Sequence, residues 1–202
     1  RDRRTGSNAG RCVPHYPTML EAVAPVTIRL EDGRAVELRA LTPNDRAQHQ
    51  LFVERLSKRS SRLRFFVPLR TLGGVQQDAY FDLDYRDRVA LVAVIADDPA
   101  IHAVGRYAKE SDGVAEVALV VDDALQGLGL GTALLGRLAR LARERGFTTF
   151  SALVLPENST MLSLFERTGW PTRATRTRDT IRLEMKLPDE SQDGGPGRTI
   201  AT

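Results

Sequence analysis

Gln126-Gly127-Leu128-Gly129-Leu130-Gly131 joins an apolar run, Val114–Val121, to a stretch of about Leu130–Arg145 whose leucines recur at helical spacing. A strand, a tight glycine turn and an amphipathic helix in that order form the first part of a strand–helix–strand unit. Glycines at alternate positions leave their backbone unshielded, so several N–H groups can point at one ligand. The helix adds its positive N-terminal end to the same place, and no acidic residue in its first turn competes for it. This stretch predicts a cradle for a phosphate-bearing cofactor, built from the backbone of Gln126, Gly127, Leu128, Gly129, Leu130 and Gly131, with the Thr132 hydroxyl as a further donor. Two plainer readings stand beside it: Thr132 as an ordinary capping residue, and the loop as a simple strand–helix connector. A dinucleotide turn is disfavoured, because Gly-x-Gly-x-x-Gly meets Thr132 or Leu134 at its third position. A P-loop is excluded because the loop contains no lysine. Asp122 and Asp123 precede the loop and must turn away from any bound phosphate.

Working outward, Leu130, Leu134, Leu138 and Leu141 make the buried stripe of the helix, with Arg137, Arg140 and Glu144 outside it. Phe147–Leu155 reads as the returning strand, Asn158–Thr168 as the next helix, and Trp170–Leu187 as two further strands. Upstream, Val26–Leu30 and Ala35–Arg39 alternate about a Glu31–Arg34 turn as a hairpin. Thr42-Pro43 opens a helix running through Leu51, Phe52 and Leu56; Ser60–Phe66 is a short helical segment ended by Pro68, and Gly74–Phe81 another helix. Arg88–Ala96 reads as a buried strand, Asp97-Asp98-Pro99 as a turn, Ile101–Ala108 as a strand and Asp112-Gly113 as a hairpin turn. The fold class is therefore α/β in the α+β sense: a mixed, mostly antiparallel sheet with helices on both faces. Its strand–helix–strand unit forces one parallel pair, a junction that can splay and where ligands favour the carboxyl ends of strands.

The 202 residues suit one domain over residues 25–188, between polar segments 1–24 and 189–202 expected to be disordered. Hydrophobic content of 42% and charged content of 27% are those of a globular chain rather than a disordered one. A net charge of only +3, without basic runs interleaved with aromatics, argues against nucleic-acid binding. The longest apolar run, Val89–Ala96, is too short to span a bilayer, which argues against a membrane partner. The single Cys12 excludes an internal disulfide and agrees with a cytoplasmic location. His15, His49 and His102 lack ligand spacing, so no metal is expected. The chain opens on Arg1, so an upstream segment is possible.

Two motifs together resemble the GNAT acetyltransferase superfamily: Gln126-x-x-Gly129-x-Gly131 after an apolar strand, and the later set Asn158, Met161, Leu164, Phe165, Glu166, Gly169 and Trp170. A finer resemblance, to bacterial protein lysine acetyltransferases of the Pat type, rests on Leu56-Ser57, Ser61–Phe66, Pro68-Leu69 and Asp82–Tyr85 before Ala90–Val94. The resemblance implies acetyl-CoA as co-substrate, with its pyrophosphate on the glycine loop and its pantetheine arm along Leu119, Val120 and Val121. It also implies a cofactor contact from Asn158, which is equally a good helix cap. An N–H near Val120 would then steady the thioester oxyanion. Glu116 is the expected general base, since an amine must lose a proton to attack a thioester at neutral pH; a structural pairing of Glu116 with Arg106 is the alternative. Phe165 stands where many relatives carry a proton-donating tyrosine, so that general acid is absent, and Ser159 or Ser163 is a weak substitute. Arg173, Arg176, Arg178 and Arg182 read as a solvated strand face, or as a contact for the 3′-phosphate end of CoA or for an acidic partner.

The expected activity is acetyl transfer to protein lysines, such as those of acyl-CoA synthetases, with a regulatory domain outside this chain as a possible partner. Three alternatives remain open: transfer to a small amine (a polyamine, amino acid or antibiotic), a non-catalytic acetyl-CoA sensor, and, more distantly, a nicotinamide oxidoreductase.

Overall fold

The computed structural model describes residues 23–69, 71–96 and 98–188. In chain order the elements are β1 (Val26–Arg29), β2 (Ala35–Ala40), a 3-10 turn (Pro43–Asp45), α1 (Arg46–Arg55), α2 (Lys58–Phe65) and α3 (Gly74–Phe81). There follow β3 (Arg88–Ile95), β4 (Asp98–Ser111), β5 (Val114–Val121), a second 3-10 turn (Asp123–Leu125), α4 (Leu130–Glu144), β6 (Thr149–Val154), α5 (Ser159–Arg167), β7 (Thr172–Arg176) and β8 (Ile181–Lys186). The strands form one eight-stranded sheet ordered β1-β2-β3-β4-β5-β6-β8-β7. Every neighbouring pair is antiparallel except β5/β6, which α4 joins as a crossover.

Two consecutive residues of β4 show why helices lie on both faces. Gly105, opposite Leu119, carries no side chain, and a Cβ there would come 2.9 Å from Leu138 and 3.5 Å from Leu134. The missing methyl lets α4 lie close on this face, where its leucine stripe is buried. Arg106, opposite Ala118, points to the other face, under Tyr80 of α3. His49 of α1 joins that layer, with ring centroids 5.1 Å from Tyr80 and 5.5 Å from Phe81.

Several boundaries differ from those the residues suggest, each for a local reason. The 3-10 turn before α1 exists because Asp45 bonds back to the Thr42 N–H at 2.7 Å and hydroxyl at 2.9 Å, while Arg39 holds both its oxygens. Helix α2 starts early because the Ser57 hydroxyl accepts the Ser60 N–H. It ends not at Pro68 but at Phe66, whose left-handed backbone (φ 65°) is unusual for a residue with a Cβ. Strand β4 takes in Asp98 and Pro99, because Asp98 pairs with Ile95 across a register shift where Pro99 needs no N–H. Val23, assigned by composition to the leading tail, is 2% exposed and packs into the core, and the Ala24 carbonyl accepts from Arg137. The rest of the two terminal segments, with Cys12 and His15, lies outside the described residues. No helix among the described residues is long and apolar enough to cross a membrane.

His49 is 1% exposed and its Nδ1 has no hydrogen-bond partner. Burial, reinforced by the positive charges of Arg106 and Arg64, pushes its pKa down to about 4. The unfolded chain then binds a proton that the folded chain refuses between pH 6.5 and 4, so acid removes stability in that window. The linked loss is on the order of 3 kcal/mol. Urea unfolding of the wild type and His49→Phe at both pH values should show a markedly smaller acid loss in the variant.

Candidate active site

Parallel pairing between β5 and β6 covers only Val114–Thr149, Ala115–Phe150 and Glu116–Ser151. Beyond Glu116 the strands part, leaving the rest of β5 with unpaired backbone groups along that edge. A groove of about 1220 Å³ lies along the end of β5, with no β6 residue lining it. Leu119, Val120 and Val121 form its β5 wall; Gln126, Gly127, Gly129, Gly131 and Thr132 line it at the loop; Asn158 lines it from the start of α5. The parting therefore brings together residues drawn from both motifs.

Within the loop, Gly127 and Gly129 adopt left-handed backbones (φ 81° and 85°), conformations that disfavour any side chain. Gly129 is the N-cap of α4 and supplies no side-chain bond, so Thr132 is not the cap. Gly131 lies against Leu119 and Leu164, drawing α4 onto both β5 and α5. Leu128 and Leu130 do not line the groove: Leu130 is buried in the core, and the Leu128 carbonyl accepts the Glu31 N–H at 3.3 Å from the β1–β2 turn. The Gln126 amide bonds inward to the Val121 carbonyl and the Ser60 hydroxyl, so this side chain braces the loop. Asp122 does not line the groove, whereas Asp123 does, contrary to the expectation that both turn away from it. Asp122 meets Arg55 and His102, and Asp123 accepts from the Ser57 N–H and from the Ser57 and Ser60 hydroxyls. Asn158 accepts the Met161 N–H at 3.2 Å, capping α5 from within the groove wall.

Glu116 occupies the last paired position, with Ser151 beside it on β6 and Ala108 on β4. It is exposed and, among the described residues, has no ion-pair partner; Arg106 interacts with it only at longer range. It does not itself line the groove. Ser151 is buried and donates to Glu110, which also pairs with Arg182. Phe165 is buried in the core, and neither Ser159 nor Ser163 lines the groove. Strand β7, with Arg173 and Arg176, is exposed throughout, in keeping with a solvated strand face.

Residues 54–170 match the model of the Acetyltransferase (GNAT) family. The chain belongs to the GNAT acetyltransferase family. An acetyltransferase of Pseudomonas aeruginosa is 33% identical over 138 residues, covering 67% of this chain and 74% of the relative. Acetyltransferase Pat of Mycolicibacterium smegmatis is 29% identical over 154 residues, and the match covers 73% of this chain and 44% of that protein. Among solved structures, the GNAT domain of S. lividans PAT superposes with a TM-score of 0.75 at 34% identity, covering 81% of this chain and 97% of that one.

The GNAT reading of the residues did not reveal what surrounds the motifs. Arg62 of α2 bridges to Glu157, next to Asn158, at 2.8 Å. Arg64 of the same helix lines the groove and donates to the Tyr80 hydroxyl at 2.8 Å. Neither link has a sequence signal, because each joins residues of different segments.

Two glycines of the loop and helix give opposite stability outcomes. Gly129→Ala forces a Cβ into a left-handed backbone and should cost about 1 kcal/mol. Gly136→Ala, inside α4 with nothing within 4 Å of the added methyl, should gain about 0.5–1 kcal/mol. Urea unfolding midpoints of the two variants, read against the parent, check the signs.

Proposed function

We propose that this GNAT chain is an acetyl-CoA-dependent N-acetyltransferase of the cytoplasm whose acceptors are lysine side chains of proteins. The observation that carries the reading is the parting of β5 and β6 immediately after Glu116, with the glycine loop at the far end of the same exposed backbone edge. The relation to the S. lividans PAT GNAT domain, over nearly all of that domain, supports the choice of protein lysine.

In this proposal the pyrophosphate of acetyl-CoA rests on the N–H groups from Gln126 to Gly131, with Thr132 and Asn158 at its flanks. The pantetheine arm takes the place of the missing β6 partner along Leu119, Val120 and Val121. Lysine reaches the site largely protonated, because its ordinary pKa is near 10.4. Glu116 removes the proton directly or through water, and the free amine attacks the thioester carbonyl. The N–H near Val120 stabilises the oxyanion as it forms. Attack forms the C–N bond and the nitrogen gives its second proton to solvent; collapse of the adduct then restores the carbonyl, breaks the C–S bond and releases CoA as the thiolate. Phe165 offers that thiolate no proton, so it takes one from solvent.

Glu116→Gln should reduce kcat by about a hundredfold while leaving the acetyl-CoA Kd from calorimetry nearly unchanged. Unchanged turnover would remove Glu116 from the mechanism. Mass spectrometry of a lysate incubated with the protein and isotopically labelled acetyl-CoA reads the acceptor. Labelled protein lysines support the proposal; label on small amines alone replaces it with the small-amine reading. Binding of acetyl-CoA with no labelled product favours a sensor.

A further inference from the structure

We infer that Arg64 and Arg106, set around the ring of Tyr80, form a carboxylate subsite beside Glu116, so that this enzyme prefers acceptor amines carrying a carboxylate nearby. The inference rests on the proposed acceptor side at Glu116 but not on the acceptor being a protein lysine.

The register of β4 and β5 sets the geometry. Glu116 is opposite Ala108 and Arg106 is opposite Ala118, so the two side chains leave the same sheet face from diagonal positions. Such positions are about 7–8 Å apart, and no ion pair closes between them. An amine held at Glu116 would thus place a neighbouring carboxylate within reach of Arg106. The Arg106 guanidinium lies over the Tyr80 ring, 4.6 Å from its centroid, and that of Arg64 is 5.9 Å from the same centroid while bonding the Tyr80 hydroxyl. An aromatic ring fixes the guanidinium plane and leaves the N–H edge for bidentate recognition of a planar anion. Because Arg64 also lines the cofactor groove, the cluster is continuous with the cleft that delivers the acetyl group.

The second argument is the missing counter-charge. Arg39, Arg55, Arg62, Arg88 and Arg182 each meet a carboxylate. Arg64 and Arg106 meet none within ion-pair distance among the described residues, although Arg106 is half-buried. Burial, and secondarily the charge of Arg64, lowers the pKa of Arg106, with Tyr80 and Glu116 opposing. Two cations held together in a partly desolvated site leave a deficit that a ligand carboxylate would fill. His49 cannot fill it, being a neutral ring behind Tyr80.

A carboxylate of this kind comes either from an Asp or Glu beside a target lysine or from the acceptor's own carboxyl group, as in a free amino acid. The test uses two matched pairs: peptides with Asp-Lys or Asn-Lys, and free lysine or lysinamide. Binding to the CoA-loaded protein is measured by calorimetry, and kcat/KM for acetyl transfer is measured alongside. The wild type should favour the carboxylate member of at least one pair by about tenfold. Arg106→Gln and Arg64→Gln should each bring that ratio close to one, with Arg106→Lys intermediate because it loses the planar fork. The ratio is internal to each variant, so a general loss of folded protein does not mimic the effect. Equal treatment of both members of both pairs by the wild type overturns the inference, as does a tenfold preference surviving in both glutamine variants. Preference confined to free lysine keeps the subsite and removes the protein-lysine reading. Preference confined to the peptides keeps both.

Discussion

The site depends on one constraint: β5 and β6 cannot remain paired. They run parallel because α4 connects them, and that connection starts from a glycine turn that pulls the end of β5 toward α4 and α5. Gly131 against Leu119 and Leu164 on one side, and the antiparallel grip of β8 on the full length of β6 on the other, draw the two strands apart. Pairing therefore survives for three residue pairs and then stops. A backbone edge left without a partner inside a folded domain is costly unless water or a ligand satisfies it. Here it runs from Glu116 to the glycine loop, so the divergence that opens the cleft also places these two at its opposite ends.

The two faces of the sheet divide the labour around that cleft. The face under α4 is apolar and close-packed, with Gly105 giving up its side chain to α4. The opposite face is polar at the same strand positions, carrying Arg106 and Glu116 where its neighbour strand offers only alanines. Charges appear on the side where an acceptor would approach, and the leucine-rich side serves as the rigid support.

Much of this could be read from the chain because the relevant signals are local. The strand Val114–Val121, the glycine turn and the leucine stripe of α4 lie within one continuous stretch, and their period and punctuation specify strand, turn and helix without tertiary information. Asn158 was likewise visible as a cap that also faces the groove. What stayed hidden was long-range. The inward turn of Gln126 depends on Ser60, the anchoring of the groove-lining Asp123 depends on Ser57 and Ser60, and the Arg64–Tyr80–Arg106 cluster draws on three elements. Leu128 and Leu130 belong to the loop by their backbone alone: a motif marks a backbone path, whereas their side chains pack on or in the core.

The hydrogen bond from Glu31 to Leu128 joins the first hairpin to the glycine loop across most of the domain's sequence. Closing so long a loop becomes favourable only once the intervening strands have paired. That contact spans the domain, so a ligand that binds only the folded loop would act on the folding equilibrium of the whole by mass action, its stabilisation growing as RT ln(1 + [L]/Kd). A ligand that binds the folded loop and not the unfolded chain would therefore also make the domain less open to proteases as its concentration rises.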